Sequence, residues 1–307
     1  MDTVIRTENL SKHYGKLKAV DKVTINVQKG EIYGFLGLNG AGKTTTIRML
    51  LGLVHPTKGY SYLNGKKVSP GNTDMWKDVG YLVEVPYSYP DLTVRENLEI
   101  IRRLRFISDQ NSVDVIIEKF KLDQYREVLC RNLSLGNAQR LGLAKALIHN
   151  PDILLLDEPA NGLDPAGIVE IREMLIDFAR NKGVTIFISS HILGEISKLA
   201  TRIGIIHEGS LIHESSVHEM EKLRKHYLEV RTKDLEGTRN LLQKSGYMVI
   251  LREEGHLEVR GKDSLTEPEN ISEILVQSGY APSLIKVEQE DLETFFLRFI
   301  YMKGGAK

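Results

Sequence analysis

A chain of 307 residues is long enough for one full core plus a second, smaller domain, since single domains usually take about 100–200 residues. Its 41 basic and 41 acidic side chains cancel, which removes the diffuse positive field of a general nucleic-acid binder. With 41% hydrophobic and 27% charged residues the chain is not of disordered type, and its single cysteine, Cys130, excludes an internal disulfide and suits a reducing compartment.

The opening residues, MDTVIRTENLSKHYG, contain no apolar stretch that would act as a signal. Apolar runs such as residues 153–156 fall far short of the roughly 20 residues a membrane span needs, so any membrane role is expected to come through a partner. Short strands are expected at 4–6 and 23–27, separated by a turn at Tyr14-Gly15. Residues 31–36 form an apolar strand that feeds directly into a glycine-rich loop, and the pattern from Lys43 to Gly52 is helical. Between about 93 and 150, the segments 93–107, 113–120 and 136–149 repeat apolar residues three and four apart, which predicts a helical insert. Residues 153–156 then read as a buried parallel strand, and Asp164-Pro165 as the cap and first residue of a helix. A strand at 184–189, a helix at 192–200 and a strand at 202–207 follow. Strands alternating with helices predict a parallel α/β sheet.

After about Met220 the pattern changes. Strands at 227–231, 248–252, 256–260 and 284–287 alternate with helices at 235–244, 270–277 and 292–301. The order β-α-β-β-α-β with a terminal helix predicts a small ferredoxin-like α+β domain. The expected division is therefore 1–219 and 220–307, with a helical subdomain at about 87–150.

Two segments carry chemistry. Gly37-Leu38-Asn39-Gly40-Ala41-Gly42-Lys43-Thr44 fits G-x-x-x-x-G-K-[ST], with a strand before it and a helix after it. Glycines let the backbone wrap a triphosphate closely, and the helix start at Lys43 offers its positive end to the same anion. Lys43 supplies a point charge for the β- and γ-phosphates, and Thr44 a hydroxyl for Mg²⁺. The strand at 153–156 ends in Asp157-Glu158. Alone, these would read as solvated acids at a strand end. Joined to a phosphate loop, Asp157 becomes a holder of Mg²⁺ and Glu158 a group that polarises an attacking water, because parallel sheets place ligands at the carboxyl ends of their strands.

Through residue 215 or so, these motifs resemble an ABC transporter ATPase: an α/β P-loop NTPase with a RecA-like core, an N-terminal antiparallel β subdomain and a helical subdomain. Leu133-Ser134-Leu135-Gly136-Asn137-Ala138-Gln139-Arg140 stands where the family has its LSGGQ signature. Asn161-Gly162-Leu163-Asp164 resembles the D-loop, and Ser190-His191 the switch histidine. The resemblance implies ATP as substrate and Mg²⁺ as cofactor, with the phosphate loop through Thr45 holding the nucleotide. Ser134, Gly136, Asn137 and Asp164 would face the nucleotide of a second copy. Each has a plainer reading beside this one: Ser134 is also a helix N-cap, His191 a surface histidine, and Tyr14, placed where the family stacks a ring on adenine, a packing tyrosine. The resemblance further implies a head-to-tail homodimer with ATP between the copies, at the cytoplasmic face of a bacterial membrane on separately encoded permease subunits. No nucleic-acid partner is expected, although a non-transport ABC ATPase of DNA repair or translation is the alternative.

Two positions depart from the family. Glu84, in Gly80-Tyr81-Leu82-Val83-Glu84, replaces the usual glutamine, and Leu135 replaces a signature glycine. A carboxylate at 84 still suits Mg²⁺ or the attacking water, but only as an acceptor. Together with residues 89–98 and NGLDPAGI, these departures resemble the bacitracin-resistance and lantibiotic-immunity branch, whose ATPases drive export or removal of antimicrobial peptides.

Overall fold

The computed structural model describes residues 2–304 apart from 70, 72, 85 and 253. In chain order its first elements are β1 (Thr3–Tyr14), β2 (Leu17–Val23), β3 (Asn26–Gln28), β4 (Ile32–Leu36), α1 (Lys43–Leu50), β5 (Lys58–Leu63), β6 (Lys66–Lys67) and β7 (Val79–Leu82). The helices α2 (Val94–Leu104), α3 (Ser112–Lys119) and α4 (Leu135–Leu147) form the insert. They are followed by β8 (Ile153–Asp157), α5 (Pro165–Lys182), β9 (Thr185–Ser190), α6 (Leu193–Ile196), β10 (Arg202–His207), β11 (Ser210–Ser216) and α7 (Val217–Leu223). The remainder is β12 (His226–Arg231), α8 (Leu235–Lys244), β13 (Met248–Leu251), β14 (Leu257–Arg260), α9 (Lys262–Thr266), α10 (Pro268–Gln277), β15 (Leu284–Gln289) and α11 (Leu292–Gly304). The chain divides into two compact units, residues 1–217 with 300–307, and 218–299.

The first unit holds two sheets. One is antiparallel, in the order β2-β1-β5-β6 with β3 also on β1; the other runs β11-β10-β4-β9-β8-β7. Within the second sheet β10, β4, β9, β8 and β7 are parallel, and only the edge strand β11 is antiparallel. Both β4 and β8 are buried along their whole length, as expected for parallel strands covered on both faces. Tyr33 and Phe35 of β4 pack on Phe187 of β9 at ring-centroid distances of 5.4 and 5.2 Å. Each such fully buried aromatic contributes about 1.5–3 kcal/mol by leaving water. That core fixes the strand ends from which the functional loops emerge.

Helix starts follow side-chain chemistry. Thr93 and Glu96 form a reciprocal capping box on α2, and Asp164 caps α5 by accepting from the Gly167 N–H at 2.9 Å, with Pro165 first in the helix. Two expected elements have other bounds in the structure. β1 runs to Tyr14, well beyond the expected 4–6, because a bulge with Asn9 at φ 47° breaks the alternation without ending the strand. The helix expected at 192–200 is helical only over Leu193–Ile196. Leu199 and Ala200 both donate to the Ile196 carbonyl, and Thr201 already donates to Ile32, so the start of sheet pairing cuts the helix short.

In the second unit the sheet order is β13-β14-β12-β15, antiparallel throughout. With α8 and α10 as its long helices, that is the ferredoxin-like arrangement, extended by the short α9. Leu228, Val230, Val249, Leu257 and Val259 of the sheet share a core with Leu242, Ile271 and Leu275 of the helices.

Candidate active site

The neighbours β4, β9 and β8 end side by side, and the loops leaving their carboxyl ends carry the phosphate loop, His191 and the acid pair. The Gly37 N–H donates to the Ser190 carbonyl at 3.2 Å, tying the start of the loop to the end of β9. Gly42 occupies the N-cap of α1 at φ 109°, and a Cβ there would lie 2.4 Å from the Ala19 carbonyl oxygen, so only glycine fits. No side chain caps α1. Its first-turn N–H groups, including those of Lys43, Thr44 and Thr45, make an anion-binding terminus.

The Lys43 ammonium is buried, donates to the carbonyls of Gly37 (2.7 Å) and Leu38 (3.2 Å), and lies 3.1 Å from Glu158 Oε1. The last contact is an ion pair without hydrogen-bond geometry. The other Glu158 oxygen, Oε2, is 2.8 Å from His191 Nδ1. A carboxylate accepts only, so Nδ1 carries the proton and Nε2 is the nitrogen left for a substrate oxygen. Glu158 has φ 49°, a left-handed backbone for a non-glycine residue that stores of order 1–3 kcal/mol of strain. Its N–H is held by Ser189 Oγ at 3.1 Å.

Asp157 is 2% exposed. Its oxygens accept from the hydroxyls of Thr44 and Ser189, each at 2.6 Å, and among the described residues no lysine or arginine pairs with it. A buried carboxylate without a cation, beside a hydroxyl, is a hard oxygen set suited to Mg²⁺, which typically takes one or two protein ligands and completes its shell with phosphates and water.

Comparisons with known proteins decide the family. Residues 20–161 match the family model for the ABC transporter. The bacitracin transport ATP-binding protein BcrA of Bacillus licheniformis is 41% identical, over 100% of this chain and 99% of its own length. The lantibiotic transport ATP-binding protein SrtF of Streptococcus pyogenes is 39% identical, over 72% of this chain and 94% of its own. This chain belongs to the ABC transporter ATP-binding family. Among solved structures, a bacterial ABC transporter cassette in dimeric form superposes with a TM-score of 0.65 at 25% identity, over 69% of this chain and 98% of that one.

Within this ABC cassette the remaining expected residues lie apart from the cluster just described or serve local structure. Ser134 caps α4, accepting from the Asn137 N–H at 3.3 Å, and Gly136 faces the Gly162 carbonyl and the Leu163 side chain. Asp164 is spent on capping α5. Tyr14 is 49% exposed at the end of β1, with the Lys12 ammonium 5.0 Å from its ring centre. Asn39 and Gly40 are exposed at the tip of the phosphate loop, and Ala41 is buried at its base. Glu84, also left-handed at φ 59°, pairs at 2.6 Å with Arg48, one turn beyond Thr44 on α1. Val85, in the segment after it, lies outside the described residues.

Three participants escaped the sequence reading. Ser189 bridges Asp157 and Glu158; its signal was a polar residue ending an apolar strand. Gln139, 2% exposed, donates to the Pro159 carbonyl at 2.8 Å and joins α4 to the chain just past Glu158. Asn97, 1% exposed, accepts from the Tyr89 N–H and donates to the carbonyls of Tyr89, Leu92 and Thr93, fixing the 89–93 turn. Neither amide has a local sequence pattern to announce it.

Proposed function

We propose that this chain is the ATP-binding and ATP-hydrolysing subunit of an ABC transporter that powers export or removal of an antimicrobial peptide of the bacitracin or lantibiotic class. The observation that carries the ATPase reading is the convergence of Lys43, Thr44, Asp157, Glu158 and His191 on three adjacent strand ends. The peptide class rests on the full-length likeness to a bacitracin transport ATP-binding protein.

In this reading the phosphate loop and the uncapped start of α1 cradle the triphosphate. Lys43 leaves Glu158 for the β- and γ-phosphates, and Glu158 is thereby freed to accept the proton of the attacking water. His191, oriented through Nδ1, places Nε2 toward the γ-phosphoryl group. Thr44 and Asp157 would hold Mg²⁺, which would supply positive charge to the transferring phosphate, and Glu84 is tied to the same helix through Arg48. Two copies pair head to tail, and the capped start of α4, with Ser134, Gly136 and Asn137, completes the site of the opposite copy.

No helix of the described residues is long and apolar enough to cross a membrane. In this reading separately encoded permease subunits hold the chain at their cytoplasmic face. The docking surface is the groove of about 900 Å³ beside residues 84–92, rimmed by Tyr87, Tyr89, Leu104 and Phe106. Lys145 and Arg105 line it, hydrogen-bonded to backbone carbonyls and, among the described residues, without a carboxylate partner. An amphipathic permease segment carrying an acid fits that chemistry.

The test is Mg²⁺-dependent phosphate release by the purified chain, followed by bacitracin and lantibiotic sensitivity of cells lacking it. Absent hydrolysis in the presence of the permease refutes the enzyme reading. Unchanged sensitivity to both peptide classes refutes the substrate.

A further inference from the structure

The start of α4 carries an aliphatic side chain where the family has glycine, and that side chain is engaged. A Cβ built on Gly162 would lie 2.2 Å from Leu135 Cδ2 and 2.5 Å from its Cγ, so Leu135 fills the place a side chain at 162 would take. Gly162 is at φ 79°, inside the tight turn in which Asn161 donates to the Glu158 carbonyl and Leu163 to that of Ala160. Gln139 makes a second tie from α4 to this turn through the Pro159 carbonyl. On its other side the turn borders an apolar cavity of about 70 Å³, where Pro159, Ala160 and Asn161 face Ile171, Leu175 and Ile196. The turn after Glu158 therefore has a strut on one side and room to yield on the other. Leu135 is nonetheless 59% exposed, so its remaining surface is open to a second copy.

We propose that Leu135 is a positioning residue that transmits the placement of the α4 start to the backbone carrying Glu158 by bracing Gly162. The inference rests on the reading of Glu158 as the base and of the α4 start as half of the opposite copy's site. When the α4 start seats on a nucleotide held by the partner, Leu135 presses the 159–163 turn into one position, and Glu158, at the head of that turn, is set with it. Without the strut, the turn relaxes toward the cavity and the base is misplaced although the nucleotide is bound. A displacement of about 1 Å at a reacting group costs up to about 100-fold in rate.

The experiment compares Mg-ATP turnover of the full-length wild type with Leu135→Ala, Leu135→Met, Gly162→Ala and the double variant Leu135→Ala/Gly162→Ala. Leu135→Ala is expected to lower kcat about tenfold with KM changed less than twofold and the melting temperature nearly unchanged. Leu135→Met, which refills the space over Gly162, is expected to restore kcat to within about twofold of wild type. Gly162→Ala alone is expected to be worse than Leu135→Ala. The double variant is expected to lose less than the product of the two single losses, because the side chain that collides with the new methyl is gone. Unchanged kcat in Leu135→Ala, failure of methionine to rescue, or strictly multiplicative losses overturns the bracing role while the wild type still turns over. A wild type that does not hydrolyse ATP overturns the reading of Glu158 and this inference together.

Discussion

Replacing Glu158 by glutamine separates catalysis from binding, and the contacts of this side chain set the scale. The amide keeps the shape of the carboxylate and retains an oxygen about where Oε1 stands, 3.1 Å from the Lys43 ammonium. Lys43 also keeps the Gly37 and Leu38 carbonyls, so the folded state loses about 1–2 kcal/mol, less than the 3–5 kcal/mol of a buried charge left alone. Turnover is affected far more. A positioned general base contributes about 10²–10⁴ in rate, or about 3–5.5 kcal/mol of barrier. ATP binding is not weakened, because the carboxylate competes with the triphosphate for Lys43 and repels it. The expected picture is phosphate release at least 100-fold slower, unchanged or tighter binding in equilibrium dialysis, and an ATP-dependent dimer on size exclusion. A phosphate-release rate within tenfold of wild type would remove Glu158 from its assigned role.

Further outcomes follow from neighbouring contacts. Thr44→Val removes the hydroxyl that donates to Asp157 while keeping the shape, so the Mg²⁺ concentration needed for half-maximal nucleotide binding should rise about tenfold; an unchanged titration would exclude the hydroxyl from the metal site. Asn97→Ala strips the 89–93 turn of its buried bonds and should cost about 2–4 kcal/mol in urea unfolding, since the abandoned backbone groups remain buried. His149 donates from Nε2 to the Val79 carbonyl at 3.1 Å, and burial pushes its pKa down from 6.5 to about 4. Its neutral form is the folded one, so stability is full above about pH 6.5 and falls as pH drops toward 4, where the unfolded chain binds the extra proton. Urea midpoints measured between those limits should fall more steeply in the wild type than in His149→Gln.

Much of this was legible in the chain because the signals are local. The phosphate loop is fixed by glycines and Lys43 within eight consecutive residues, and the acid pair closes a run of four apolar residues. The caps Ser134 and Asp164 were readable because each is a side chain acting three residues ahead. What stayed hidden depends on pairing across long separations. β5 was missed because its second residue, Gly59, reads as a turn, and only its pairing with β1 makes it a strand. The amide of Gln139 and the hydroxyl of Ser189 became functional candidates only when their partners, 20 and 32 residues away, were brought to them. The ion pair of Lys43 with Glu158 spans more than a third of the chain and has no trace in the sequence pattern.

The two departures from the family acquire a common explanation in the structure. Each substituted side chain has a partner within the same chain that matches its chemistry. A carboxylate at 84 would be an unbalanced negative charge near a triphosphate, but Arg48 meets it at 2.6 Å from the helix that carries Thr44. The pair is largely exposed, so its contribution to stability is at most about 1 kcal/mol, and its effect is to hold Glu84 to α1. An aliphatic side chain at 135 would be a liability on a helix start meant for close backbone approach, but it lies over Gly162 rather than over its own N–H groups. Both side chains link a helix to a neighbouring loop: Glu84 through charge, Leu135 through shape. The strained backbones at Glu84 and Glu158, φ 59° and 49°, are what aim these two acids, one after β7 and one after β8, toward the helix and lysine they meet.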